Sequence, residues 1–367
     1  MGEQEWGQWL GRFTGTNQGD LTLNIDGDSD LFGDLVISDD NDKNPSFHAD
    51  ADFKINGKHI TGILDNFYPC SYNLDLTTST KEQSESPKKG SITGILNKDY
   101  IKGNLEIDIG IKVSFDICKF ESDKQKKCDK EMSWKIFKNW ALKKKLKNPN
   151  LIFRGHSNNK YNLRTTFHRN NRRDLGRYSS EDIPTLAHHI SAITGRKYNI
   201  NDPEEHGELL NLAQHYGYPT PLLDWTDSPH IAAYFAFSRI TKYTGNNKEK
   251  IRIFLFDAGK WHDHDKQREV RNIDNPRPSF SALFLGLRDN KRALPQQSIV
   301  TCSNIYNIEK FIENSEKIDR KKYLTKIDIP TSDRDDAMEE LQYMGITEAS
   351  LFPGLDGTCI SLKERYF

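Results

Sequence analysis

The chain has 367 residues, 35% hydrophobic, 29% charged and 11% aromatic; its length suits two domains, and 19 Phe, 14 Tyr and 6 Trp supply core anchors that a disordered chain lacks. The net charge of −1 hides a division, because residues 1–120 hold 11 Lys+Arg against 20 Asp+Glu, which leaves 41 against 33 for residues 121–367. An acidic half followed by a basic one implies either separate partners or attraction between the halves. No apolar run reaches the roughly 18 residues of a membrane span, so no membrane association is expected. The opening MGEQEWGQWLGRF lacks a basic-then-apolar leader pattern, and a cytoplasmic location is the expectation. Cys70, Cys118, Cys128, Cys302 and Cys359 show neither CxxC nor Cys/His ligand spacing; they read as reduced thiols, with no metal site.

Residues 1–120 read as strands and tight turns. GDLTLNID, GDLVISDD, KHITGILDNF, GSITGILNKDY and GNLEIDIGIKVSFDI alternate apolar and polar residues at period two, each bounded by Gly, Asn or Asp. The phrase ITGIL recurs at 60–64 and 92–96, separated by a polar stretch that includes TTSTKEQSESPKKG. This repetition predicts an up-and-down antiparallel meander, a sandwich or small barrel, forming an acidic all-β domain over 1–120. Asp26, Asp28 and Asp30 suggest a calcium loop, but Leu31 stands where that loop needs Gly and Ile37 where it needs Glu, so a solvated acidic hairpin is expected.

Residues 121–132 read as a charged linker, and the texture changes from Ser133 onward. SWKIFKNWALKKKL places Trp134, Phe137, Trp140 and Leu142 near helical spacing behind a possible Ser133 cap. LIFRGHS reads as a buried strand running into a polar loop. Helices follow around 181–194 and 203–216, then a helix after Ser228, the strand KIRIFLFDA, a strand in QQSIVTCS, and a helix in DRDDAMEELQYMG closed by Gly345. Residues 133–367 are thus a mixed α/β region, and the whole chain is α+β.

Candidate chemistry begins at Arg154. A strand ending in Arg-Gly puts a guanidinium at a sheet edge, with backbone room for a ligand at Gly155; the side chain suits forked recognition of phosphate, or pairing with a carboxylate such as Asp224. In LAQHYGYPTPLLDWTDSPHIAAYFAFS a helix ends at Gly217, Pro219 and Pro221 stiffen a turn, and Ser228-Pro229 open a second helix as N-cap and N1. Asp224, Trp225, Thr226 and Ser228 then lie at a strand-to-helix corner, where hydroxyl and backbone donors can meet an anion. His215, late in the first helix, is a packed, capping or catalytic residue. His262 and His264 in WHDHD lack further spaced ligands for a metal. The basic run RTTFHRNNRRDLGR at 164–177 reads as a nucleic-acid contact or as a solvated face.

FRGHS at 153–157, LLNLAQHYGYPTPLLDWTDSPHIAAYFAF at 209–237, ALPQQSIVTC at 293–302 and ELQYMGITEASLFPGLDGTCISL at 340–362 resemble the FRG domain family over about residues 133–367, in the family's motif order. That order is itself similar to the arginine-type ADP-ribosyltransferases. The resemblance implies that Arg154 contacts the phosphates of NAD and that Thr226-Asp227-Ser228 shape the nicotinamide pocket. It also implies that Gln296 and Gln297 stand where a catalytic Glu is expected. A Gln cannot offset a developing cation as a carboxylate does. The carboxylate therefore comes from Asp224 or Glu208, or the reaction differs, or the domain only binds. On the first view Arg154 holds the pyrophosphate, Trp225 or Tyr216 stacks the nicotinamide, Asp224 stabilises the positive ribose with His215 beside it, and Gln297 orients a hydroxyl. The implied function is NAD-dependent ADP-ribosyl transfer to a nucleic acid or protein, which suits a toxin or antiviral effector. The alternative is a non-catalytic nucleotide- or nucleic-acid-binding module in a regulatory complex. The N-terminal β domain is expected to dock a partner such as an antitoxin, a second copy, or the basic half.

Overall fold

The computed structural model describes residues 6–26, 32–41, 44, 46–70, 87–120, 127–240, 249–263, 273, 275–283 and 292–366. Eight strands, β1 (Gly7–Gly15), β2 (Gln18–Ile25), β3 (Phe32–Asp39), β4 (Ser46–Asn56), β5 (His59–Cys70), β6 (Gly90–Leu96), β7 (Tyr100–Ile107) and β8 (Ile111–Lys119), pair in chain order. β8 returns to β1, so the predicted meander is a closed antiparallel barrel with no free edge. The period-two pattern sends Trp9, Phe13, Leu21, Leu23, Leu35, Phe53, Ile92 and Phe115 inward, where they fill the lumen. The two ITGIL copies pair with each other about Thr61 and Thr93. Each glycine faces an isoleucine of the other copy, Gly62 opposite Ile92 and Gly94 opposite Ile60. A Cβ at Gly62 would lie 2.6 Å from the Ile92 side chain, so the repeated glycine lets the pair close.

Outward positions on β2–β4 are also buried, among them Asn24, Asp34, Ser38 and His48, because this side of the barrel packs against the second half. Gln8 Nε2 donates to Asn304 O at 2.7 Å while its Oε1 accepts from Tyr306 N–H at 2.9 Å. Asp26 Oδ1 accepts from Arg173 N–H at 2.6 Å, and its carboxylate lies 3.4 Å from Arg172. The acidic hairpin expected to be solvated is thus, at Asp26, a docking surface for the basic half; Asp28 and Asp30 lie outside the described residues. The Tyr68 hydroxyl sits 1.9 Å from where a Cβ on Gly176 would be, which explains the glycine there.

The second half is built on a seven-stranded sheet. Its strands are β9 (Lys130–Glu131), β10 (Leu151–His156), β11 (Leu222–Thr226), β12 (Lys250–Asp257), β13 (Phe280–Leu283), β14 (Ser298–Ser303) and β15 (Leu324–Pro330), in the order β13-β14-β11-β10-β12-β15-β9. Every pairing is antiparallel except β15–β9, so Lys130–Glu131, read in the sequence as linker, is an edge strand. One sheet face packs on the helices Trp134–Lys147, Pro229–Phe237 and Arg334–Tyr343. The other packs on Trp261 and the helix Ile308–Asp319. Ser228 caps its helix as the sequence suggests, Asp202 caps the helix Pro203–His215, and Gly217 and Gly345 adopt φ of 87° and 78° just beyond helix ends. Ser133 makes no side-chain cap; Asp333 accepts from Trp134 N–H at 2.7 Å instead. No helix among the described residues is long and apolar enough to cross a membrane.

Candidate functional site

β10 and β11 pair only at Phe153 and Thr226, then diverge. The gap between them opens a cavity of about 740 Å³, within the few hundred to about 1,000 Å³ typical of small-molecule sites. Arg154 spans the gap. Its Nη1–H donates to the Asp224 carbonyl oxygen, and its Nε–H donates to His156 Nε2 at 3.1 Å. The helix Pro203–His215 covers the Asp224 side: Gln214 Nε2 donates to the Asp224 carboxylate, and Gln214 Oε1 accepts from the Thr220 hydroxyl. That relay fixes the carboxylate toward the cavity.

Among the described residues lining the cavity, six are cationic (Arg154, Lys160, Arg164, Arg169, Arg239 and Arg292) and one, Asp224, is a carboxylate. The Arg169 and Arg239 side chains are exposed to the cavity and make no hydrogen bond or ion pair with any described residue. Solvent reaches Asp224 through the cavity, but the surrounding protein strips it of bulk water, which raises its pKa against the opposing pull of Arg154, Gln214 and Arg169. Burial, with Arg169 and Arg239 nearby, lowers Arg154 to about 10, which still leaves it charged at neutral pH. His215 lines the same cavity, and burial with Arg292 nearby lowers its pKa, favouring the neutral ring. Such a surface suits a compact polyanion, with Asp224 the one negative group in reach among the described residues.

Arg154, Gly155, Asp224, His215 and Thr226 therefore share one cavity. Thr226 lines it while its hydroxyl donates to Gln296 O at 2.7 Å. The glycine at 155 answers first to packing, because a Cβ there would lie 1.9 Å from Ala232 O on the helix Pro229–Phe237. Other expectations need correction. Trp225 also lines the cavity, but it is 3% exposed, packs on Phe256 and Phe280, and donates Nε1–H to Thr301 Oγ1 at 3.0 Å, so most of its ring belongs to the core. Tyr216 is 82% exposed and does not line the cavity. The Ser228 hydroxyl is occupied as the N-cap, accepting from Ile231 N–H. Gln297 is exposed, with φ of 47°, and lies off the cavity lining, whereas Gln296 is on it and donates to Leu351 O at 3.1 Å. Glu208 is committed to Arg196. His262 ends a short helix, and His264 lies outside the described residues.

The sequence reading missed Arg169, Arg239, Arg292, His156 and Gln214. Arg169 carried a signal as part of the basic run 164–177, and His156 and Gln214 lay inside the quoted motifs without a role assigned to them. That run is not a solvated face throughout: Arg164 and Arg169 line the cavity, while Arg172 and Arg173 turn to the barrel. Phe235 and Phe352, 6.0 Å apart edge to face, supply a further aromatic wall.

A cleft formed where an antiparallel-rich sheet splits, crowded with arginine around one carboxylate, defines an α+β protein with a candidate anion-binding site. The FRG domain family matches residues 149–245, which span β10, the helix Pro203–His215, β11 and the helix Pro229–Phe237; the chain carries an FRG domain. The match is narrower than the 133–367 suggested by the motifs, and it includes Arg154, Asp224 and His215. No curated protein and no solved structure matches the chain.

Proposed function

We propose that the cavity binds NAD and that the chain transfers its ADP-ribose to a nucleic acid or protein acceptor. The observation that carries this reading is six cationic side chains around a single carboxylate. Arg154, Arg169 and Arg239 would hold the pyrophosphate, and Phe235 and Phe352 offer a face to a planar ring. The glycosidic bond between ribose C1′ and the nicotinamide nitrogen breaks, and its electron pair leaves with nicotinamide. The Asp224 carboxylate stabilises the positive charge left at C1′. The acceptor attacks C1′, and neutral His215 takes the proton it releases.

A second reading is binding without turnover. It is favoured by the placement of Gln297 off the cavity and by the lack of a second carboxylate among the described lining residues. Labelled NAD incubated with RNA, DNA and lysate protein separates the two. The transferase reading expects nicotinamide release and label transfer, with Asp224→Asn lowering kcat about 100-fold and Arg154→Ala acting mainly on KM. Saturable NAD binding without release under any condition establishes the second reading. No binding at all removes both.

A further inference from the structure

We propose that His156 is a positioning residue that aims Arg154 at the phosphates of the ligand. This rests on the reading of the cavity as an anion site. Arginine carries five N–H donors in a fixed plane, so two hydrogen bonds, one at Nε and one at Nη1, determine where the others point. Here Nε–H goes to His156 Nε2 and one Nη1–H to the Asp224 carbonyl, which leaves three donors for a ligand. Nε2 accepts, so it bears no proton; the proton sits on Nδ1, which faces Tyr161 O at 3.3 Å. The ring is wedged edge-on against Phe254 at 5.0 Å and Tyr161 at 6.4 Å, so it cannot turn to follow the arginine.

The groups facing His156 from neighbouring elements are cationic: Arg154 on its own strand, Arg169 from the basic run and Arg252 on β12. Together with burial they lower its pKa to about 3. A protonated ring would set a donor against a guanidinium, and this surrounding keeps it neutral. The histidine is therefore an acceptor of fixed tautomer, able to sit inside a cationic cavity where a carboxylate would neutralise Arg154.

The test titrates inorganic pyrophosphate into wild-type protein, His156→Gln and His156→Leu by calorimetry. The glutamine oxygen can accept the same Nε–H, so His156→Gln should bind within about threefold of wild type, while His156→Leu, without an acceptor, weakens binding about tenfold or more. In the ligand-free protein, ¹⁵N spectra should show Nδ1 protonated and Nε2 bare from pH 5 to 8, with a protected Arg154 Nε–H. Equal affinity of His156→Leu and wild type, equal loss in both variants, or a proton on Nε2 overturns the proposal. Absence of pyrophosphate binding by wild type, with the ¹⁵N signature intact, overturns the anion-site reading and the positioning role with it.

Discussion

The basic stretch from Arg164 to Arg177 serves two charged regions that differ in how their charges are paired. At the barrel, Arg172 lies 3.4 Å from Asp26 and 3.1 Å from Asp182, Arg177 lies 2.8 Å from Glu181, and Arg173 packs 4.9 Å from the Tyr306 ring centre. In the cavity, a few residues earlier, Arg169 faces Arg154 and Arg239, and among the described lining residues only Asp224 offsets them. Paired charge at a packed surface sets orientation and adds little reactivity. Unpaired charge in a cavity is unfavourable in the free protein, and that cost is relieved when an anion enters. Residue type alone does not separate the two roles; the pairing does.

Separate perturbations should therefore split the regions. The largest expected effect is at the paired one: Asp26→Ala leaves Arg173 N–H without its acceptor and Arg172 with one carboxylate fewer. It should lower unfolding free energy by roughly 2–4 kcal/mol in a urea titration. Pyrophosphate affinity of the folded fraction should change by less than about threefold, and a larger change would show that the barrel also sets the cavity. The converse perturbation is Arg169→Ala with Arg239→Ala. Each should weaken pyrophosphate about tenfold, near 1.4 kcal/mol, while leaving the urea midpoint unchanged or slightly higher, because like charges are removed. A drop in stability there would mean that the two arginines have structural partners after all.

The same contrast accounts for what could be read in the sequence. The barrel was legible because period-two alternation and its turn residues are local, and the ITGIL repeat even marks the two strands that pair. The corner containing Asp224 was legible too, but its residues were assigned together, and a strand does not allow that. Neighbours on β11 point to opposite faces, so once Asp224 faces the cavity Trp225 must enter the core. Gln296 and Gln297 part for another reason: they lie in the turn before β14, where Gln297 takes a positive φ. Arg239 and Arg292 left no trace at all. They reach the cavity from segments far apart in the chain, and no spacing rule encodes a meeting made by topology.

The last effect is a dependence on pH, at a carboxylate at the barrel that stands between the two regimes. Asp174 Oδ1 accepts from Arg177 N–H at 2.8 Å, but Oδ2 is buried without a hydrogen-bond partner among the described residues, with Asp26, Asp34 and Asp50 around it. Burial and these like charges push its pKa from 3.8 up to about 8. The folded state thus binds more protons than the unfolded state between about pH 4 and pH 8, and stability must fall as pH rises through that window. Asp26 and Asp50 are raised as well, chiefly by burial, and act with the same sign. For one proton the slope approaches about 1.4 kcal/mol per pH unit. Asp174→Asn keeps the oxygen that caps Arg177 N–H and removes the charge, so its urea midpoints from pH 5 to 8 should be flatter than wild type and higher at the alkaline end. A variant that tracks wild type across the range would place the ionising group elsewhere in the interface.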